Sequence, residues 1–402
     1  MRFTLLLTLA VALLSACSGS GVPGSPPATL SDQSGPPALS ANSQSLTRAG
    51  APRAQQTGPD RVVVYTLSNG ASRNKVLSFV PRGGALKYDQ SFDTGGLGDP
   101  SVAGTVQGAI AIAGDNRFLF AVDAGSNEIS SFRIGDDGLE FIDRIASGGM
   151  QPVSLAVHHD LLFVLNEGSS SIAGFRITRN GLLRRIPHLS APLSGSGAGP
   201  AEISFDSSGT VLVVTEKATN NIDTYAVANG IPTGPTVHAA SGMTPFGFAF
   251  VPRSEIVVVS DAFGGASGMG AASSYAVTPP NTLAPISALV PDDNTAPCWV
   301  VITHDGKLAF ISNTGSDTIS TYSIDAAGAL TLASPKGVSA QTGRTPADLA
   351  ISSDDRSLFV LSLKSRTIGA YSIGAGGRLT KARVAHGLPA SALGLAAASP
   401  ND

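Results

Sequence analysis

Residues 199–227 read GPAEISFDSSGTVLVVTEKATNNIDTYAV, and the fold is decided by what this stretch contains. Gly199-Pro200 opens it, and a short apolar run with Ile203 and Phe205 follows. Asp206-Ser207-Ser208-Gly209 has the composition of a tight turn, because Asp and Ser bond nearby backbone and Gly tolerates a left-handed conformation. Val211 to Thr215 is a dense β-branched run. After a polar loop, Ile222, Thr224, Tyr225 and Val227 mark another alternating strand. Short β-branched runs bounded by turn residues are strands, and three of them in under 30 residues, as here, argue for antiparallel neighbours.

The same unit recurs outward in both directions. Pro-led openings fall at Pro152, Pro200, Pro245, Pro297, Pro346 and Pro389, and an opening without Pro falls at Gln107-Gly108-Ala109-Ile110. Seven dense second strands follow the same beat: Val62–Thr66, Phe118–Val122, Leu161–Leu165, Val211–Thr215, Ile256–Ser260, Leu308–Ser312 and Leu358–Ser362. Third strands such as Ile129–Ile134 and Ile368–Ile373 come next, and Gly138-Leu139 or Gly377-Arg378-Leu379 starts a fourth. A period of roughly 40–50 residues with four short strands is the pattern of a propeller blade. A right-handed parallel β-helix is the rival, but its coils are shorter than these units. The chain enters the pattern at a second strand, Val62, and ends on an isolated first strand at Pro389–Ala396. The expectation is therefore an all-β, seven-bladed β-propeller over residues 61–402, with N- and C-terminal strands closing one blade and leaving no free sheet edge.

Composition agrees with that class and narrows the partners. The chain is 14% charged and 42% hydrophobic, with 46 Gly and a net charge of -3. That balance predicts no nucleic-acid partner. Ahead of the repeats, Arg2 and the apolar run Phe3–Leu14 make a segment too short to span a bilayer, for which about 20 residues are needed. It ends Leu14-Ser15-Ala16-Cys17, which resembles a bacterial lipobox. The resemblance implies a lipoprotein signal peptide over 1–16, lipidation at Cys17 and export to the cell envelope, with Ser18 pointing to the outer membrane. With Cys17 claimed by lipid, a disulfide framework within one chain is excluded. Residues 17–60, rich in Gly, Pro, Ser and Ala, read as a disordered tether with an r.m.s. reach of roughly 35–40 Å.

The repeats resemble the seven-bladed propellers of the 6-phosphogluconolactonase and carboxymuconate-cyclase type. Gly199-Pro200 with the turn from Phe205 to Gly209 is similar to that family's opening and turn, Asp123-Ala124-Gly125 to its Asp-Leu-Gly loop, and Asn166 and Asn313 to the Asn that ends its second strands. The resemblance implies lactone hydrolysis or isomerisation. This chain carries Ala201-Glu202 where the family has Arg-His, and Gly108–Ala111 where a His-containing opening belongs. Thr215-Glu216-Lys217, Pro245–Phe248 and Ala296–Trp299 resemble an offshoot of the family.

In a propeller the starts of the inner strands and the loops after the second strands meet at one mouth of the central channel. That places Asp123, Asn166, Glu216, Asp261, Asn313 and Ser362 together there, with Glu167 and Lys217 beside them. The inner strands add Glu202, Phe246, Cys298, Trp299 and Asp348. A ring of acids raises its members' pKa values and suits proton transfer, so Glu202 and Glu216 are the candidate catalytic pair. Lys217, Asn166, Glu167, Asp123, Asp261, Phe246, Trp299 and Asn313 are the candidate substrate-binding residues. The plainer reading of Asp and Asn at these places is that they bond the backbone of tight loops. The Gly-rich stretch Ala262–Ser274 reads as a loop inserted into the fourth repeat, a candidate lid. With no His-x-x-x-His or Cys-x-x-Cys, no metal site and no cofactor are expected. These features together predict a lipid-anchored monomer that binds a small molecule or an envelope protein at the mouth, with lactone hydrolysis as the alternative.

Overall fold

A computed structural model describes residues 62–399, apart from 114, 115 and 335; the signal segment, Cys17 and the linker through residue 60 lie outside the described residues. Seven antiparallel sheets of four strands each are present, one of them with a short fifth strand, Ala340–Gln341. Taken in chain order they are blades 1 to 7, and in each the first strand is innermost. Blade 4, the opening stretch, comprises Pro200–Phe205, Val211–Glu216, Asn221–Ala228 and Ile231–Ala239. Its register sets Ile203 opposite Val214 and Val213 opposite Thr224.

Burial explains the sequence pattern. Val211–Glu216 is buried at every position, as are Phe118–Asp123 in blade 2 and Leu161–Asn166 in blade 3. A second strand has a neighbouring blade on each face, so both faces are apolar and the run is continuous rather than alternating. Outer strands such as Ile231–Ala239 meet solvent and are mostly exposed. The third strand of every blade adds one buried aromatic: Phe79, Phe132, Phe175, Tyr225, Tyr275, Tyr322 and Tyr371. The tyrosines among them also bond the preceding blade. Tyr225 donates to Pro192 O at 2.8 Å, Tyr322 to Val290 O at 3.1 Å and Tyr371 to Gln341 O at 2.9 Å.

Blade 1 closes the ring. Its inner strand is Leu393–Ala398, from the C-terminal end, and it pairs antiparallel with Val63–Leu67. Thr66 Oγ1 donates to Gly394 O at 2.6 Å, and Ser391 Oγ to Ser68 O at 2.7 Å. The strand begins later than the expected Pro389 because Pro389–Ala392 is spent on a turn, in which Ala392 N donates to Pro389 O at 3.2 Å. Removing residues 389–402 is therefore expected to abolish cooperative unfolding. Buried Leu393 and Leu395 alone supply about 1.5–3 kcal/mol each, and four paired positions of Val63–Leu67 lose their partners, against a net stability of about 5–15 kcal/mol for a whole domain. Calorimetry on the truncated chain checks this; a sharp transition near that of the intact chain would show the ring does not depend on this strand.

Candidate functional site

Each second strand ends beside the start of its inner strand; in blade 4 Pro200 lies opposite Glu216. The strand-end residues share this end of the molecule, but their side chains do not converge on the channel. They sit in the seams between blades, against the connector arriving from the preceding one. Asp123 accepts from Asn74 Nδ2 at 2.9 Å, Thr94 Oγ1 at 2.6 Å and Ser130 Oγ at 2.6 Å. Asn313 Nδ2 donates to Thr318 Oγ1 at 3.0 Å and Ser320 Oγ at 2.8 Å. Asp261 accepts from Ser273 Oγ at 2.8 Å. Asn166 is buried in the same position, and its carboxamide has no hydrogen-bond partner among the described residues. Glycines in the arriving connectors make room. A Cβ on Gly149 would press on Asn166, and one on Gly96 or Gly242 on Asp123 or Asp261.

Blade 4 differs from its sisters in this seam. Blades 2, 5 and 6 face the strand-end residue with a serine, whereas blade 4 faces Glu216 with Asp223. The two carboxyl groups share one backbone donor: Ser194 N reaches Glu216 Oε1 at 3.0 Å and Asp223 Oδ2 at 2.8 Å. Ser194 Oγ and Thr219 Oγ1 also donate to Glu216. Burial, then the hydrogen bond and charge of Glu216, push Asp223 up to about 8. Sequence reasoning missed Asp223, although its place opposite a strand-end acid in the repeat was the available signal.

Burial also pushes Asp261 up to about 8, and burial pushes Asp123 above its ordinary value against the pull of its three donors. A carboxyl raised in this way holds its proton more tightly in the folded chain than in the unfolded one. Its contribution is complete below an unfolded value of about 4 and is lost as pH rises toward 8. Asp261→Asn, which puts the blade 6 side chain into blade 5, is expected to match the parent near pH 4. Above that it should gain relative stability at up to about 1.4 kcal/mol per pH unit, until about pH 8. Thermal unfolding of the two proteins from about pH 4 to 9 measures the gap; parallel curves would mean that Asp261 ionises as an ordinary carboxylate.

The channel mouth is built from other side chains. A register shift between Pro200 and Glu202 sets Glu202 opposite Thr215, so both point toward blade 5. There Glu202 Oε2 accepts Phe248 N at 2.7 Å and Thr215 Oγ1 donates to Phe246 O. Glu216, one residue on, faces the other way, toward Ser194. The expected Glu202–Glu216 pair is therefore split across the two faces of one sheet. Lys217 turns back to the channel. Its Nζ donates to Pro200 O at 3.0 Å and to Thr105 O, and it lies 5.2 Å from the centre of the Phe246 ring. Phe246 meets Trp299 edge-on at 5.0 Å. Asp348, placed in blade 7 by the same register shift, accepts Leu349 N at 2.8 Å and is bonded by the backbone of Leu395. Burial drives Glu202 and Asp348 well above the carboxylate range, and the charge of Asp348 adds to the effect on Glu202. Burial lowers the Lys217 amine, and half-buried Glu167 at the rim partly restores it.

A segment that sequence reasoning passed over fills this mouth. The connector between Asp93 and Ile110 is far longer than those from Ala146 to Pro152 or from Ala239 to Pro245, and that length was the readable signal. Asp99 caps a short turn at Pro100–Val102 and accepts Gln151 Nε2 at 2.8 Å. The chain then crosses the channel, because it reaches blades 4 and 6 although it joins blades 1 and 2. Thr105 O accepts from Lys217, Val106 O accepts Trp299 Nε1 at 2.9 Å, and Gln107 N donates to Ala201 O at 3.0 Å. The Gln107 carboxamide closes a two-bond pair with Val300, donating to its carbonyl at 2.8 Å and accepting its N–H at 3.0 Å. Val102 and Val106 are buried beneath. The Gly-rich stretch in blade 5 is shorter than expected, since Ala271–Thr278 is that blade's third strand. Residues 262–270 are fastened to the connectors flanking blade 5, through Phe263 N to Met243 O at 3.0 Å and Gly270 N to Asn294 O at 2.8 Å.

Known proteins place this architecture. No curated protein matches the chain in sequence. Among solved structures, the periplasmic gluconolactonase of Pseudomonas aeruginosa is similar at 18% identity and a TM-score of 0.60, over 80% of this chain and 95% of that one. A Bacteroides fragilis protein provisionally named a 6-phosphogluconolactonase is similar at 17% identity and a TM-score of 0.61, over 82% and 99%. A Lactobacillus plantarum protein follows at 16% and 0.65, over 83% and 98%. At these identities the likeness is one of fold. The profile described as "Lactonase, 7-bladed beta-propeller" matches residues 30–192, 155–264 and 272–391, and the chain belongs to that family.

Proposed function

We propose that this protein is a lipid-anchored envelope propeller that binds a small, oxygen-rich molecule of the lactone or sugar-acid class at the mouth of its channel. One observation carries the reading: Glu202, Asp348 and Lys217 are all buried on the inner strands and the strand-end loop, Glu202 within reach of the Asp348 charge, and the groups that bond them are backbone ones. Burying ionisable groups costs stability, and blade packing does not require them there. Ser154 occupies the Glu202 position in blade 3 and satisfies the next strand equally well, accepting Ile203 N at 3.2 Å. Buried titratable groups in a concavity are the usual mark of a binding or reacting centre. The anchor at Cys17 and the tether over 17–60 would carry the propeller clear of an outer membrane.

Family membership favours a second reading, in which the site also opens the lactone. Glu202, made a stronger base by burial, would take a proton from the attacking water and pass it to the ring oxygen as the acyl C–O bond breaks, and Lys217 Nζ would steady the negative oxygen that forms on the carbonyl. Glu216, held in its seam by Ser194 and Thr219, plays no part in this version.

Calorimetry of the full-length chain with D-gluconate and D-glucono-1,5-lactone, alongside acid release in a pH-stat, separates the readings. Lys217→Met is expected to weaken binding about 10- to 100-fold, the worth of a charged hydrogen bond. Glu202→Gln should keep affinity in both cases and lose ring opening only if there is any to lose. Equal heats for the parent and Lys217→Met would remove the mouth as the binding site. Cys17→Ser is expected to shift the protein from the membrane pellet to the soluble fraction after cell breakage; unchanged partition would rule out the anchor.

A further inference from the structure

We infer that the segment Asp99–Gln107 is a displaceable occupant of the mouth, and that the ligand replacing it presents two carbonyl or carboxylate oxygens, one to Lys217 Nζ and one to Trp299 Nε1. The inference rests on the proposed binding reading and adds what the site recognises and what guards it. Two side-chain donors from different blades are aimed at two consecutive main-chain carbonyls of the segment, Thr105 O and Val106 O. Neither donor contacts a feature special to this sequence, so any molecule with two such oxygens at similar spacing meets the same groups. A sugar acid or its lactone supplies them.

The segment has the build of something that can leave. Its one regular element is the three-residue turn Pro100–Val102. Gly104 and Gly108, with φ of 78° and 81°, bracket the bonded residues in a left-handed conformation that only glycine takes without strain, and they mark places where the backbone can swing. The far end is held by one side-chain latch, the carboxamide of Gln107 on both polar groups of Val300, beside a single backbone bond from Gln107 N to Ala201 O. Trp299 bonds the segment directly, and Phe246 packs edge-on against Trp299 and under Lys217.

Trp299 is the one tryptophan in the chain, so its fluorescence reports the occupant directly. In the parent protein acrylamide should quench it weakly. Gln107→Ala, which cuts the latch and leaves Lys217 and Trp299 in place, is expected to expose it. The same change should tighten D-gluconate binding at least about tenfold, because the apparent Kd is the intrinsic one divided by the open fraction. Hydrogen exchange on the unaltered full-length chain needs no substitution: amides of 101–107 should exchange faster than those of Ala201–Phe205, and faster still with saturating gluconate. If 101–107 are as protected as that strand and Trp299 stays shielded in Gln107→Ala, the segment is a fixed part of the core and the inference fails. Exposure of Trp299 with no gain in gluconate or lactone binding would instead overturn the ligand class and the reading beneath it. A shielded Trp299 with binding sensitive to Lys217→Met would overturn only the occupant.

Discussion

Everything in this molecule depends on pairing Leu393–Ala398 with Val63–Leu67. No blade covers both faces of its own second strand, so each is stable only with a neighbour on either side, and an open row of blades would leave two apolar faces bare. The closing strand makes the row a ring. It also ties together two parts of the chain more than 300 residues apart, as the Thr66 and Ser391 bonds show. The cost of ordering the intervening chain is recovered only when the circle is complete, which makes the propeller a single cooperative unit rather than a string of modules.

Within the ring, seams are held by a repeated pairing of apolar and polar elements. The third-strand aromatic packs in the seam, its tyrosine hydroxyls reaching the preceding blade, and strand-end residues such as Asp123, Asp261 and Asn313 bond a serine of their own third strand, Asp123 also a threonine of the connector. Four blades use a tyrosine for the aromatic, and three of its hydroxyls reach a carbonyl of the preceding blade. These polar bonds add little net energy each, about 1 kcal/mol, but they fix the angle at which sheets meet. Seven identical angles are what closure needs.

The sequence displays the packing far better than it displays the site. Blade number, closure and the apolar second strands follow from local periodicity, since each strand writes its burial into residues two or so apart. Glu202 and Glu216 illustrate the limit. Both were placed correctly along the blade, but the register shift beside Ala201 decides which face each side chain takes, and nothing in GPAEIS announces it. The strand-end residues shared by the family turned out to serve the seams. The segment 99–107 was hidden for another reason. Its contacts with Lys217, Trp299 and Val300 span up to 193 positions, and only the length of the connector betrayed it.

The mouth and the seams hold the same residue types under opposite physical terms, and this sets function apart from architecture. Seam carboxyls such as Asp123 and Asp261 are bonded mainly by hydroxyl donors that recur with the repeat; their burial is a local matter of one blade and its neighbour. Glu202, Asp348 and Lys217 are satisfied by backbone groups, three of them belonging to other blades or to the crossing segment: Phe248 N, the Leu395 amide and Thr105 O. Backbone groups are fixed by the ring whatever the side chains do, so these three residues can be exchanged without rebuilding a seam. Symmetry makes the scaffold. The symmetry is broken at the channel mouth, by one long connector and three ionisable side chains that no sister blade repeats as a set.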